Sequence, residues 1–259
     1  MKKVVFWIAH KERFVEEARR CSMELHGVMP EIERVLFTPD DTSSEGFDRV
    51  AKLPGRKSKL WYCDSVRYFN MAFDLLNEYD ACLYLDSDVN FLAPFPELFR
   101  MMERFDVVAP VGSRRVTGGT YIDLPDCFPE YEIGVVLFRR NAIVKKLFEE
   151  WRRLHLAHTD IYGENDMRSF REAVWNTPEI KIERIPTEYA LRWPFGVYMS
   201  LEVKILHGRE PDFSCWPNSP TIEDVKRIVN EHLEMRIWSP RDKNWEEGVI
   251  PEADWQSRP

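Results

Sequence analysis

The chain reads as an α/β protein built on a doubly wound, mostly parallel sheet, and two observations carry that reading. Short apolar, β-branched runs recur along it, several apolar at consecutive positions, as strands covered on both faces require. Between them lie segments whose apolar residues repeat at helical spacing, the alternation from which βαβ units are made.

Strands are expected at residues 4–9 (VVFWIA), 35–38 (VLFT), 81–85 (ACLYL), 107–109 (VVA), 133–138 (IGVVLF), 180–185 (IKIERI) and 203–206 (VKIL). Asp64 or Ser65 is placed to cap a helix that buries Val66, Phe69, Phe73 and Leu76. Asn141 is placed to cap a second, burying Val144, Leu147, Phe148, Trp151 and Leu154. Thr221, with Asp224 three residues on, opens a late amphipathic helix carrying Val225, Ile228, Val229 and Leu233. The irregular stretch 111–131 holds Gly118, Gly119 and Pro125 and is long enough to be a functional loop. With no linker composition, one domain is expected over 1–237, with the Pro-, Trp- and charge-rich residues 238–259 packed on its surface.

Composition narrows the function. Hydrophobic residues at 44% and charged residues at 31% are ordinary for a globular protein with a full core. A formal net charge of -8 argues against nucleic-acid binding, which needs basic surface to displace counterions. An acidic protein still binds a phosphate-rich small molecule where a cation and a few Arg or Lys neutralise it locally. The opening MKKVVFWIA fits a first strand better than a signal peptide, since no small-residue cleavage site follows. No apolar run approaches the roughly 20 residues of a membrane span. Five scattered cysteines (21, 63, 82, 127, 215) without CxxC spacing read as reduced thiols of a cytoplasmic protein and argue against a zinc site.

The chemistry concentrates in ACLYLDSDVNFLAPFPELF, residues 81–99. An apolar strand delivers Asp86 and Asp88 to its carboxyl end, where open α/β sheets bind ligands. Residues two apart in extended chain point to one side, so both carboxylates can face one cation. Oxygen ligands there suit Mg²⁺ or Mn²⁺ bridging a diphosphate. The competing reading is a polar turn that merely ends a buried strand. His207, ending the VKIL strand, would complete a mixed nitrogen and oxygen site; alone, such a histidine is more often simply packed. Ala9, His10 and Lys11 follow the first strand, where a sheet of this type opens towards a nucleotide, although His10 fits a solvent-facing loop equally well. The run Arg56, Lys57, Lys59 reads as a solvated loop in preference to a lid reaching the phosphates, and Arg114 and Arg115 as part of a mobile segment able to close over a donor.

The order of motifs resembles GT-A glycosyltransferases, especially the family-8 retaining galactosyl- and glucosyltransferases. LYLDSDVNFLAPFPELF resembles their DxD segment, EIGVVLFRRN (132–141) their Asn-x-Gly-Val strand, NDMRSFREAVW (165–175) their Asp-Gln helix start and ILHGR (205–209) their late metal-binding histidine. The similarity spans residues 3 to about 209. It implies a GT-A fold and a sugar transferred with retention from a nucleotide diphosphate donor, a UDP-sugar by likeness, with Mn²⁺ or Mg²⁺ held by Asp86, Asp88 and His207. It also implies donor contacts from Ala9, His10, Lys11, Arg67, Asp86, Ser87 and Arg209, and carboxylates Asp166 and Glu132 near the transferred sugar. The acceptor, whether saccharide, lipid or protein, is not implied. Three departures stand out: Glu132 replaces the family's Asn, Met167 its Gln, and the Lys-Pro-Trp after the histidine is absent. Two other classes compete. Haloacid-dehalogenase-type phosphotransfer also uses a strand-end DxD, but on its first strand, and a non-catalytic sugar-nucleotide-binding protein would keep the DxD without turnover.

Overall fold

A computed structural model describes residues 1–112, 119–193, 197–209, 221–231, 233, 236–239 and 244–247. In chain order the strands are β1 (Lys3–Ile8), β2 (Glu33–Thr38), β3 (Arg49–Lys52), β4 (Ala81–Leu85), β5 (Val89–Phe91), β6 (Val107–Pro110), β7 (Val135–Arg139), β8 (Ile182–Ile185), β9 (Leu191–Arg192), β10 (Val197–Met199), β11 (Ile205–His207), β12 (Arg236–Ser239) and β13 (Asn244–Glu247). The helices are α1 (Glu12–Val28), α2 (Trp61–Leu75), α3 (Ala142–Ala157), α4 (Thr159–Tyr162), α5 (Asp166–Trp175) and α6 (Ile222–Ile228). None of the described helices is long and apolar enough to cross a membrane.

The chain forms two compact units where the sequence reading drew one domain over 1–237. The first takes residues 1–88 and 95–185, the second 89–94 and the described part of 186–259. The chain enters the second unit through strand β5 and returns, so the boundary has no linker to betray it in the sequence.

The first unit is a mixed, mostly parallel seven-stranded sheet of Rossmann-like type, ordered β3-β2-β1-β4-β7-β6-β8. β1 runs parallel to β2 and β4, β2 to β3, and β6 to β8; β7 alone is antiparallel to its neighbours. Phe6 of β1 lies at the heart of the core, with the rings of Phe37, Phe69, Tyr84 and Phe138 at 5.5 to 5.9 Å. Phe148 and Trp151 of α3 meet Phe69 of α2 edge-on at 4.9 and 5.2 Å, which locks both helices to the sheet. Such aromatic pairs add about 0.5–1.5 kcal/mol each beyond their burial.

The helix starts divide. Asn141 caps α3 as expected, its side chain accepting from the Val144 amide at 2.9 Å. Thr221 and Asp224 form the reciprocal capping box of α6. α2 starts earlier than expected, behind Leu60 with no side-chain cap, because Asp64 is already engaged by the preceding segment. α1 was not foreseen: its buried face is Val15, Ala18, Cys21, Ser22 and Leu25, two small residues and a serine among charges, a faint apolar stripe.

The second unit holds two three-stranded sheets, β5-β11-β9 and β10-β12-β13. Leu191, Trp193, Met199, Val203, Leu206, Val225 and Val229 make its core. Asn230 ties Val203 at both backbone groups, at 2.8 and 2.9 Å. Of the expected surface tail, residues 238–239 and 244–247 belong to strands β12 and β13, and the rest lies outside the described residues.

Candidate functional site

β1 and β4 are neighbours, and the strand order runs to β2 and β3 on one side and to β7 on the other. This is the switch point of a doubly wound sheet, and ligands bind outside the carboxyl ends of its strands. Those ends deliver Ala9, His10 and Lys11 from β1 and Asp86 from β4. The Asp86 amide continues the ladder to Gly134 O at 2.8 Å, and the Tyr84 hydroxyl donates to Asp86 Oδ1 at 2.8 Å. Ser87 faces α1 instead: its hydroxyl donates to Glu17 Oε2 at 3.0 Å, and the Cys21 thiol donates to its carbonyl at 3.0 Å.

Asp88 is buried and leads directly into β5. There Val89 is the register partner of His207 on antiparallel β11. Val89 is bonded to Asp88, so His207 pairs with the strand into which the acidic turn leads. Asp86 and Asp88 thus belong to the first unit and His207 to the second, joined in sequence by the Asp88–Val89 bond. Two carboxylates and an imidazole fit a hard-to-borderline divalent cation such as Mn²⁺ or Mg²⁺. Arg192 Nη1 lies 2.9 Å from His207 Nε2. A guanidinium only donates, so Nε2 accepts here and its lone pair is directed at Arg192. Gly208 then turns with φ 135, and half-buried Arg209 follows.

Glu132 and Asp166 are both buried and belong to the same electrostatic neighbourhood. The Glu132 amide donates to Pro110 O at 2.8 Å just ahead of β7. Asp166 is the first residue of α5, with Asn165 as its cap. Burial first, then the charge of Asp86 and a smaller contribution from Glu132, push the Asp166 carboxyl up to about 8, against the helix amides that favour its charge. A simple helix-dipole acid would show the opposite balance. Burial and then Asp86, Asp166 and Asp88 likewise hold Tyr84 well above the ordinary tyrosine range. So much negative charge in one buried place favours either protons or a cation.

At the β1 end, His10 stacks flat on Trp61, centroids 3.8 Å apart at 6°. Its Nε2 meets Arg56 Nη1 at 3.2 Å, and its buried Nδ1 has no hydrogen-bond partner among the described residues. Burial and then Arg56 lower its pKa, so the ring is neutral at pH 7. His10 is therefore not the solvent-facing loop residue that was the alternative. Lys11 holds a positive φ of 65, and its amide donates to Asp40 Oδ2 at 2.5 Å.

Arg56 does not belong to a solvated loop. It donates to Asp64 at 3.3 Å and to the carbonyls of Ser58 and Lys59 at 3.1 Å. Asp64 also accepts from the Lys57 and Ser58 amides and from Arg67 Nη1, each at 3.1 Å. Burial raises its pKa, but these donors outweigh that and hold the carboxyl below its ordinary value. Trp61 and Asp64 were missed as site neighbours; the tryptophan closing the basic run RKSKLW was the available signal.

In the expected mobile loop, residues 113–118, with Arg114, Arg115, Thr117 and Gly118, lie outside the described residues. The part from Gly119 onward is anchored on α5. Arg168 donates to Gly119 O, Glu172 accepts the Tyr121 amide at 2.9 Å, and Arg171 holds the carbonyls of Pro125 and Phe128. No family model matches the chain, and no curated protein does either, so the functional reading rests on this geometry and on the order of motifs.

Proposed function

We propose that the chain is a metal-dependent glycosyltransferase of GT-A type that takes a UDP-sugar donor and transfers the sugar with retention. The observation that carries the reading is the pair Asp86 and Asp88 at the carboxyl end of β4, followed in sequence by Val89, the register partner of His207. Asp86, Asp88 and His207 would hold the cation, which when bound supplies countercharge to the departing nucleotide diphosphate. Ala9, His10 and Lys11 stand at the β1 end, where a nucleoside would lie, and Arg67 and Arg209 supply positive charge for the donor. Asp166 and Glu132 would steady positive charge at the anomeric carbon on the sugar side.

Phosphotransfer of the haloacid dehalogenase type fits less well. Its acidic pair is expected on the first strand, and here the first strand ends in Ala9, His10 and Lys11 while the pair follows β4. The test is a thermal-shift screen of nucleotides and nucleotide sugars with and without Mn²⁺. A ligand at about 100 Kd adds about 2.7 kcal/mol, a readily measured shift. Stabilisation by UDP or a UDP-sugar only when Mn²⁺ is present, followed by metal-dependent UDP release, supports the proposal. Stabilisation by phosphate esters instead would turn the reading towards phosphotransfer.

A further inference from the structure

We propose that the turn carrying Asp86 and Asp88 is held ready for a cation by three groups outside the ligand set: the Tyr84 hydroxyl, the Glu17 carboxylate and the Cys21 thiol. The inference rests on the metal reading above and assigns positioning residues to that site. Asp86 is the last of these residues to share the β4–β7 ladder, through its amide on Gly134 O. Ser87 lies beyond it, where sheet hydrogen bonds no longer set the backbone. α1 takes over that task. Glu17 and Cys21 are one helical turn apart on α1 and so lie on the same stripe of its surface.

Both converge on Ser87. Glu17 accepts from the hydroxyl at 3.0 Å, and Cys21 donates to the carbonyl at 3.0 Å. The Glu17 carboxylate is held in turn, since Arg13 donates to its other oxygen at 3.1 Å. With side chain and carbonyl both engaged on α1, the peptide planes on either side of Ser87 cannot rotate freely. That restrains the backbone of the turn from which Asp86 and Asp88 project.

Tyr84 acts on the carboxylate itself. It lies two residues before Asp86 on the same face of β4, and its hydroxyl donates to Asp86 Oδ1 at 2.8 Å. Its ring is wedged against Phe69 and Phe6 at 4.9 and 5.5 Å, so the donor is fixed by the core. A carboxylate whose rotation is set beforehand loses less freedom when it binds a metal. Groups that orient metal ligands in this way typically change affinity by about 10–100-fold when removed. Ser87, expected to face the donor, thereby serves the turn with its hydroxyl.

The experiment titrates the full chain with Mn²⁺ alone, following free Mn²⁺ by electron paramagnetic resonance, and records thermal melting in EDTA for every variant. Tyr84→Phe and Ser87→Ala should each weaken Mn²⁺ binding by about tenfold or more, with melting in EDTA close to wild type. Ser87→Thr, which keeps the hydroxyl, should bind like wild type. Glu17→Ala, on the half-buried surface of α1, repeats the test without disturbing the core should Tyr84→Phe fold poorly. Unchanged affinity in Ser87→Ala and Glu17→Ala overturns the proposal. So does a loss that merely follows lowered melting, or Ser87→Thr binding as weakly as Ser87→Ala. A wild-type chain without saturable Mn²⁺ binding, or binding that survives Asp88→Asn, contradicts the metal reading itself and removes the proposal with it.

Discussion

Asp166 is buried at the head of α5, where Asp86 and Glu132 oppose its ionisation and its carboxyl is pushed up to about 8. A raised folded pKa means that the folded protein holds this proton more tightly than the unfolded chain. The stability it contributes is complete below about pH 4 and is lost as pH rises towards about 8. In EDTA, the melting temperature should fall over that window more steeply for wild type than for Asp166→Asn, and Mn²⁺ should flatten the wild-type slope. Parallel pH profiles of the two proteins in EDTA would mean that Asp166 does not carry the proton. In turnover the same group would have to be ionised to steady positive charge. Asp166→Asn and Glu132→Gln should then each lower kcat by about two orders of magnitude, roughly 3 kcal/mol. Met167→Gln should be tolerated, because a buried thioether offers no strong hydrogen bond to lose. Steady-state kinetics on any donor found in the screen decides between these outcomes.

At the scale of elements, α5 does two jobs: it presents Asp166 and it anchors the loop before β7. The Tyr121 and Ile122 amides both point at buried Glu172, which also accepts from the Tyr162 hydroxyl at 2.6 Å. Hydrogen exchange at Tyr121 and Ile122 should therefore be slow without any donor and should slow little further when UDP and Mn²⁺ are added. Fast exchange there in the free protein would show that the anchor does not hold. The sequence makes some elements plain and hides others for physical reasons. β1, β4 and β7 are built on continuous apolar runs (VVFWI, ACLYL and VVLF) and fall close to where expected, and Asn141 announces α3 by its capping chemistry. α1 hides because small residues and a serine make its buried face, and β5 because its three residues are too short for any periodicity. Asp64 and Ser65 mislead as caps, since Asp64 is spent on the Lys57 and Ser58 amides and two guanidinium groups. The acidic pair is legible locally. The pairing of His207 with Val89 in the β5–β11 ladder and the engagement of Ser87 on α1 leave no local pattern.

For the molecule as a whole, a mostly parallel mixed sheet with β1 and β4 at its switch point places the candidate groups at strand ends. That architecture serves many chemistries, so the site and not the fold must carry the functional claim. If transfer occurs with retention, NMR of the first-formed product should show the donor's anomeric configuration. An inverted product would remove the family-8-like assignment and leave a metal-dependent transferase. The most direct measurement for the central claim is calorimetry of UDP binding to wild type and to Asp88→Asn, each with Mn²⁺ and with EDTA. Mn²⁺ should tighten UDP binding at least tenfold in wild type, about 1.4 kcal/mol of coupling, and not at all in Asp88→Asn; equal affinity with Mn²⁺ and with EDTA in wild type would contradict a metal-assisted donor site.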